Sequence, residues 1–301
     1  MAIQTRGNIQ RLLQEGVDAV AGARYARYNP EWKAFLEEKS DNSAYATDVY
    51  KATLGVAQLK PEGSEVFTDS AQQLYVNQYT HAVYAVGSEI TYESIEDNLY
   101  ENEMREAGIY IEDSLQEAEQ IIAANIINNG DTSALAGDGL SVFNTAHILK
   151  SGTFANKFSA FQSLSEAALE DACIAVSKFT NASGLKTNVK TECLVVPTDL
   201  QFTADRLLES SFQPESGNNA INAVTKKFAK GYEVNHYFTD TGKWFVKTDV
   251  KNGGKFYRRS PHQFMTDNSN TNTMNYRHVG RTRFSVGVTD PRAYYGSGAS
   301  A

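Results

Sequence analysis

The chain has 301 residues, 41% hydrophobic and 21% charged, a balance that excludes wholesale disorder and suits one large domain or two modest ones. It holds no run of about eighteen apolar residues, which excludes a membrane-spanning helix, and its formal charge of −8 excludes a general nucleic-acid binder held by phosphate contacts. Arg6, Arg11, Glu15 and Asp18 interrupt any signal-peptide core, and two cysteines, Cys173 and Cys193, are too few for a disulfide scaffold or zinc site; an intracellular chain with no membrane partner is expected.

The charge is uneven. Residues 1–150 carry 10 Lys/Arg against 23 Asp/Glu, a net of −13, whereas residues 151–301 carry 18 against 13, a net of +5. Eleven carboxylates lie between Glu89 and Glu119 with only Arg105 to oppose them, which reads as a solvated helix face. An acidic half and a basic half also favour self-association.

The first forty-odd residues read as an arm. Ile9, Leu12, Leu13 and Val17 fall at helical spacing over a short stretch, Asn29-Pro30 stops any helix, and Glu31 to Leu36 allows one further turn. Trp32 and Phe35 need an apolar surface, on their own domain or on a neighbouring subunit. From Tyr50 to Val86 the pattern is a long two-stranded ribbon. Leu54, Val56 and Leu59 enter the turn Pro61-Glu62-Gly63-Ser64, Val66 and Phe67 leave it, and Tyr75, Asn77, Tyr79 and His81 alternate along the return. An isolated ribbon is marginal in water, so it must lean on something else.

Met104, Ala107, Ile111, Leu115, Ala118, Ile122 and Ile126 then step by three and four, predicting a helix from Met104 to Asn128, ~38 Å long, ended by Asn128-Asn129-Gly130-Asp131. A second helix is predicted from Ser165 to Phe179, burying Ala168, Leu169, Ala172, Ile174 and Val176. Cys193 to Pro197 reads as a buried strand, and Thr198-Asp199-Leu200-Gln201 as a capping box opening a helix to Leu208. Tyr232–Val234, Tyr237-Phe238, Trp244–Val246 and Thr282–Val288 read as strands, and Gly296 to Ser300 as a flexible end.

Catalytic motifs are scarce. Gly253-Gly254-Lys255 lacks the spacing of a phosphate loop, and Gly139-Leu140-Ser141-Val142-Phe143 lacks the closing glycine of a nucleophile elbow. The five histidines never pair at metal-binding helical spacing. Asp267, Ser269, Thr271 and Thr273 alternate like calcium ligands, but the required glycine and glutamate are missing, so a polar loop is expected. A hydrolase would have to use His147 with Ser141 and Asp138; structural packing is the competing role for His147. Both cysteines read as small buried hydrophobes. No catalytic, cofactor-binding or metal site is expected.

The order of elements, with the segments Gly87 to Ile95, Asp138 to His147, Leu194 to Leu200 and Asp290 to Gly296, resembles the major capsid proteins of tailed bacteriophages with the Hong Kong 97-like fold, and within them the Mu-like major head subunits. The resemblance spans nearly the whole chain. It implies an α+β fold with an N-terminal arm (1–45), an extended β-ribbon loop (46–86) lying across a neighbouring subunit, a peripheral domain (87–160 and 262–290) with spine helix 104–128, and an α/β axial domain (161–261 and 291–301). The implied function is a major head protein that self-assembles into hexamers and pentamers of an icosahedral shell around double-stranded DNA, held non-specifically. The location is the virion, with the host cytoplasm during assembly.

Candidate contacts between subunits are Trp32, Phe35, Lys60, Glu62, Val66, Phe67, Tyr75 and Tyr79. The chain opens on the arm with no fused helical pre-domain, so a separate scaffolding protein is expected, together with a portal protein and a possible cement or decoration protein. Lysine–asparagine cross-linking through Lys51 or Lys60, known in some relatives, is not expected. Alternatives are an encapsulin-like compartment shell, a tail or decoration component, and the Ser/His hydrolase.

Overall fold

The structure, a computed structural model, describes residues 28–91, 93, 100–150, 152–210, 221–267 and 275–299, with the helical side chains at 100–105 left out. The helical spacing of Ile9 to Val17, the side chain of Met104, and Ser269, Thr271 and Thr273 lie outside the described residues. In chain order the elements are β1 (Glu37–Ser40), β2 (Tyr45–Ala52), β3 (Gln72–Thr80), β4 (Ala82–Ile90), α1 (Tyr100–Asn128), β5 (His147–Leu149), β6 (Gly152–Phe154), α2 (Glu166–Ser177), β7 (Thr191–Pro197), α3 (Gln201–Glu209), β8 (Tyr232–Asn235), β9 (Phe245–Thr248), β10 (Gly254–Asp267), β11 (Tyr276–Val288) and β12 (Tyr294–Gly296).

The apolar run Cys193-Leu194-Val195-Val196 makes β7 a strand with no solvated face. It is central in the sheet β12-β9-β7-β8. Alternation sends Leu194, Val196, Trp244, Val246 and Tyr295 to one core, where α2 supplies Ala168, Leu169, Ala172 and Val176 and α3 supplies Ala204, Leu207 and Leu208. It sends Cys193, Val195, Phe245 and Tyr294 to the other, shared with Ala123 and Ile127 of α1 and Phe256, Phe284 and Val288. The α2 helix begins one residue after its cap, Ser165, whose side chain accepts from the Ala168 amide. Ile174, expected in the core, is 51% exposed. No capping box forms ahead of α3, because Thr198–Leu200 takes a 3-10 turn without a side-chain cap. Tyr237-Phe238 is a turn, not a strand: the Asn235 side chain accepts from the Tyr237 amide at 2.9 Å, and Phe238 packs on Phe35 and Phe245.

The second sheet, β1-β10-β11-β4, carries α1 across it. A Cβ on Gly280 of β11 would lie 2.3 Å from Ile111 Cγ2, so glycine there lets the helix sit close on the strand. Four rings stack across the sheet: Trp32 on Phe256 (4.1 Å), Phe256 on Phe284 (4.8 Å) and Phe284 on Tyr84 (4.7 Å). The segment 28–45, expected as part of a free arm, is thereby built into the body, with β1 paired in parallel to β10. The return to this sheet, expected at His262, begins at Gly254, because β10 is one strand running from 254 to 267. The last strand is likewise longer than expected, starting at Tyr276. The C-terminal end of α1 is fastened to the first sheet's loops. Lys243 Nζ donates to the Ile127 carbonyl at 2.8 Å and pairs with Asp131 at 2.6 Å, and Asn128 Nδ2 donates to the Tyr237 carbonyl at 3.0 Å.

The solvated-face reading of the acidic run needs correction at two positions. Glu112 and Glu119 are wholly buried where α1 crosses β10. Each ring nitrogen of His262 meets one of them, Nδ1 with Glu112 Oε1 at 2.8 Å and Nε2 with Glu119 Oε1 at 2.9 Å. Arg258 grips both oxygens of Glu119 (2.5 and 3.0 Å) and reaches Glu38 at 2.8 Å, while Gln116 bonds Glu112 at 2.7 Å. Both His262 nitrogens can donate only in the imidazolium form. Burial alone would lower the His262 pKa, but the bonds to Glu112 and Glu119 outweigh it and raise it; Glu119 stays below the usual carboxylate range because the bonds from His262 and Arg258 outweigh its own burial. A raised histidine pKa contributes stability fully below about pH 6.5 and loses it as pH rises through the folded value. The thermal midpoint of the wild-type subunit therefore falls as pH rises above about 6.5, and that of His262→Gln stays flatter over the same range; parallel profiles would remove His262 as the cause.

Candidate assembly surface

The ribbon is shorter than its sequence pattern suggests. Strands β2 and β3 pair from Tyr45/Thr80 to Ala52/Gln72, and 53–71 form no strand. Beyond His81 the chain changes partner, so Ala82–Val86 belong to β4, paired with β11. The base of the ribbon is bolted to its own body: Asp48 pairs with Lys255 and accepts from Thr289 at 2.7 Å, Tyr79 bonds Thr289, and Asn77 Nδ2 donates to the Val288 carbonyl at 3.2 Å. Tyr50 and Tyr75 stack at 4.7 Å beneath the Arg292 guanidinium.

Beyond this base the chain stands in solvent. The expected turn forms: Ser64 donates its amide and hydroxyl to the Pro61 carbonyl, at 3.2 and 2.8 Å, and Gly63 takes φ +80°, a conformation that a Cβ at this position would resist. Gly55 N donates to Asp69 Oδ2 at 2.8 Å, tying the two limbs. Leu59 is 94% exposed, Val66 67% and Phe67 54%, with Leu54 and Val56 also exposed. Five large apolar side chains on one short projection form a patch that a solvated monomer does not need.

The eight contact candidates therefore divide. Lys60, Glu62, Val66 and Phe67 lie on the exposed tip. Trp32 and Phe35 are 0% and 1% exposed and Tyr79 is 5% exposed, all packed within their own chain, so the intermolecular role expected for them gives way to an internal one. Tyr75 is half-buried beside Tyr50. The missed part is Leu54, Val56 and Leu59. Their apolar alternation had the look of strand core, and only the absence of facing partners at 53–71 marks them as a surface.

The hydrolase arrangement does not form. His147 Nδ1 meets Asp138 Oδ2 at 2.7 Å, and this bond outweighs burial to hold Asp138 below the usual carboxylate range. Ser141 Oγ instead donates to the Phe143 carbonyl (3.0 Å) and accepts from Asn144 (3.1 Å), while His147 Nε2 has no hydrogen-bond partner among the described residues. With no nucleophile on its free side, the pair fixes β5 against the loop at 138. Neither thiol is activated as a nucleophile: burial pushes Cys193 up to about 12 and raises Cys173.

A two-cored body, a long helix laid across a sheet and a ribbon projecting an apolar tip define a structural subunit built to associate. The chain belongs to the phage capsid protein family, whose model matches residues 75–297. It is a structural major capsid protein that forms the virion shell, and not an enzyme. Solved structures share its fold. The virus-like particle from Pyrococcus furiosus is 9% identical with a TM-score of 0.55, covering 94% of this chain and 98% of its own. The capsid of a native GTA particle is 12% identical with a TM-score of 0.58, covering 89% and 90%. The procapsid of bacteriophage JBD30 is 13% identical with a TM-score of 0.52, covering 99% and 77%. No curated protein matches the chain in sequence.

Burial separates the two kinds of contact candidate energetically. Trp32→Ala is expected to cost about 3–5 kcal/mol of subunit stability by emptying the ring stack. Val66→Ser with Phe67→Ser is expected to leave stability within about 0.5 kcal/mol. Chemical denaturation of the soluble subunits checks both.

Proposed function

We propose that the subunits associate as hexamers and pentamers of an icosahedral shell enclosing double-stranded DNA, with the tip at 54–69 lying on a neighbouring subunit. The observation that carries this is the ribbon, anchored at its base by Asp48, Tyr79 and Asn77 and bare at its apolar end. In this reading 87–160 and 262–290 act as the peripheral domain, extended back to Gly254 by β10, which leaves 161–253 and 291–301 as the axial domain that meets its copies at the ring centre. A separate scaffolding protein, a portal and a decoration protein are the subunit's partners, and assembly runs in the host cytoplasm. The segments around 138–147 and 194–200 support kinship with the Mu-like head subunits.

Glu89, Glu93, Glu106 and Glu117 remain solvent-exposed, unlike Glu112 and Glu119. Their charge suits an inner wall that repels packed DNA and so keeps it from adhering. Neutralising these four to glutamine is expected to leave shells intact and lower the DNA content per particle; unchanged packaging would remove the inner-wall role.

Negative-stain microscopy tests the assembly itself. Wild-type chain, alone or with its scaffolding partner, is expected to give closed shells or rings of five and six. Replacing residues 55–68 by a short Gly-Ser link is expected to give folded subunits and no shells. A wild-type chain that stays monomeric under all conditions, or shells from the shortened chain, would overturn the reading.

A further inference from the structure

On the α2 side of the central sheet lies an open groove of about 980 Å³, floored by Cys173, Ile174, Val189 and Ala223. Its apolar floor explains the exposure of Ile174, the one position of the predicted α2 stripe left outside the core. Lys178, Lys190, Lys226 and Lys227 line it, all exposed, and none of the four ammonium groups pairs with a carboxylate among the described residues. Of the acids that line it, Glu192 pairs with Lys230 at 2.6 Å and Asp249 accepts from the Lys190 backbone amide at 2.9 Å, while Glu170 is exposed. The groove thus presents an apolar floor under a lining in which four lysines outnumber three carboxylates, one of them, Glu192, already paired with Lys230.

The ribbon tip is its complement. Leu54, Val56, Leu59, Val66 and Phe67 are exposed there, among Glu62, Glu65 and Asp69 against the single cation Lys60. Because 53–71 are exposed throughout, the tip does not occupy the groove of its own chain.

We propose that the tip of one subunit seats in the lysine-lined groove of a second copy. The apolar tip side chains cover Ile174 and Val189, and Glu62 and Glu65 meet the lysines. The two surfaces differ, so the contact is heterologous: each subunit gives a tip to one neighbour and a groove to another, and the chain of contacts propagates around a ring. The inference rests on the proposal that the tip leaves its own subunit, and it names the surface that receives it.

Cys173 in the groove is a built-in reporter, since the only other cysteine, Cys193, is buried. A disulfide needs Cα atoms within about 7 Å, so bonding reports seating rather than mere proximity. Leu59→Cys, Val66→Cys and Phe67→Cys are made singly, and assembled particles are oxidised in air with a copper–phenanthroline catalyst. At least one is expected to give a ladder of covalent oligomers on a non-reducing gel, lost when Cys173→Ser is added. Leu135→Cys, exposed elsewhere on the body, is expected to give none. Glu62→Lys with Glu65→Lys is expected to abolish assembly, and Lys226→Glu with Lys227→Glu in the same chain to restore it.

No ladder from any of the three, an intrachain bond to Cys173, or no rescue by the charge exchange would overturn the groove assignment. If the chain shortened at 55–68 still fails to form shells, the tip's role stands and only its seat is wrong. If the shortened chain builds shells, both fall.

Discussion

A strand with no polar face cannot end a structure; it must be covered twice. The run Cys193 to Val196 imposes that condition on the whole chain. One covering layer is α2 with α3, and the other is the second sheet, backed by α1 and closed by the Trp32 stack. At about 25 cal/mol for each Å² of apolar area removed from water, opening either layer costs several residues' worth of burial at once. The two sheets therefore do not behave as separable modules. Phe143, Phe245, Phe256 and Tyr294 lie in one core with residues of α1.

The polar joints follow from the same packing. Laying a 29-residue acidic helix on a sheet forces some carboxylates inward, and each inward one is met by a cation. Glu119 is held by Arg258 and His262, Glu112 by His262, and the far end of the helix by Lys243. Breaking such a pair at one partner is far costlier than never having built it. Their presence fixes the rotation and sliding of α1 over β10, which apolar contacts alone would leave loosely defined.

Legibility in the sequence followed periodicity. The α1 and α2 stripes and the β7 run were readable because each repeats its own period over many residues, and the element order carried the family. What was not readable depended on partners distant in the chain. Glu112 and Glu119 look like surface acids until His262 and Arg258, well over a hundred residues later, are placed beside them. Trp32 and Phe35 lacked local apolar company for the same reason, since their company is Phe256 and Phe245. Strand β10, broken in pattern by Arg258-Arg259-Ser260-Pro261 and by two register shifts opposite β11, shows no clean alternation at all. The tip was misread in the opposite direction, because apolar residues without partners imitate a core strand.

Strands β3 and β4 are nearly one continuous ribbon of backbone, changing sheets at His81, which sits 4% exposed with its Nδ1 on Ser285 at 2.9 Å. Mechanically this is a lever with its fulcrum inside the body. The nine-residue long limb spans roughly 30 Å at about 3.3 Å per residue. Tilting the second sheet by about 5° therefore sweeps the far end by roughly 2.6 Å, more than half the spacing between paired strands. Small changes in the seating of α1 thus become displacements of atomic-contact size at the far end of the ribbon.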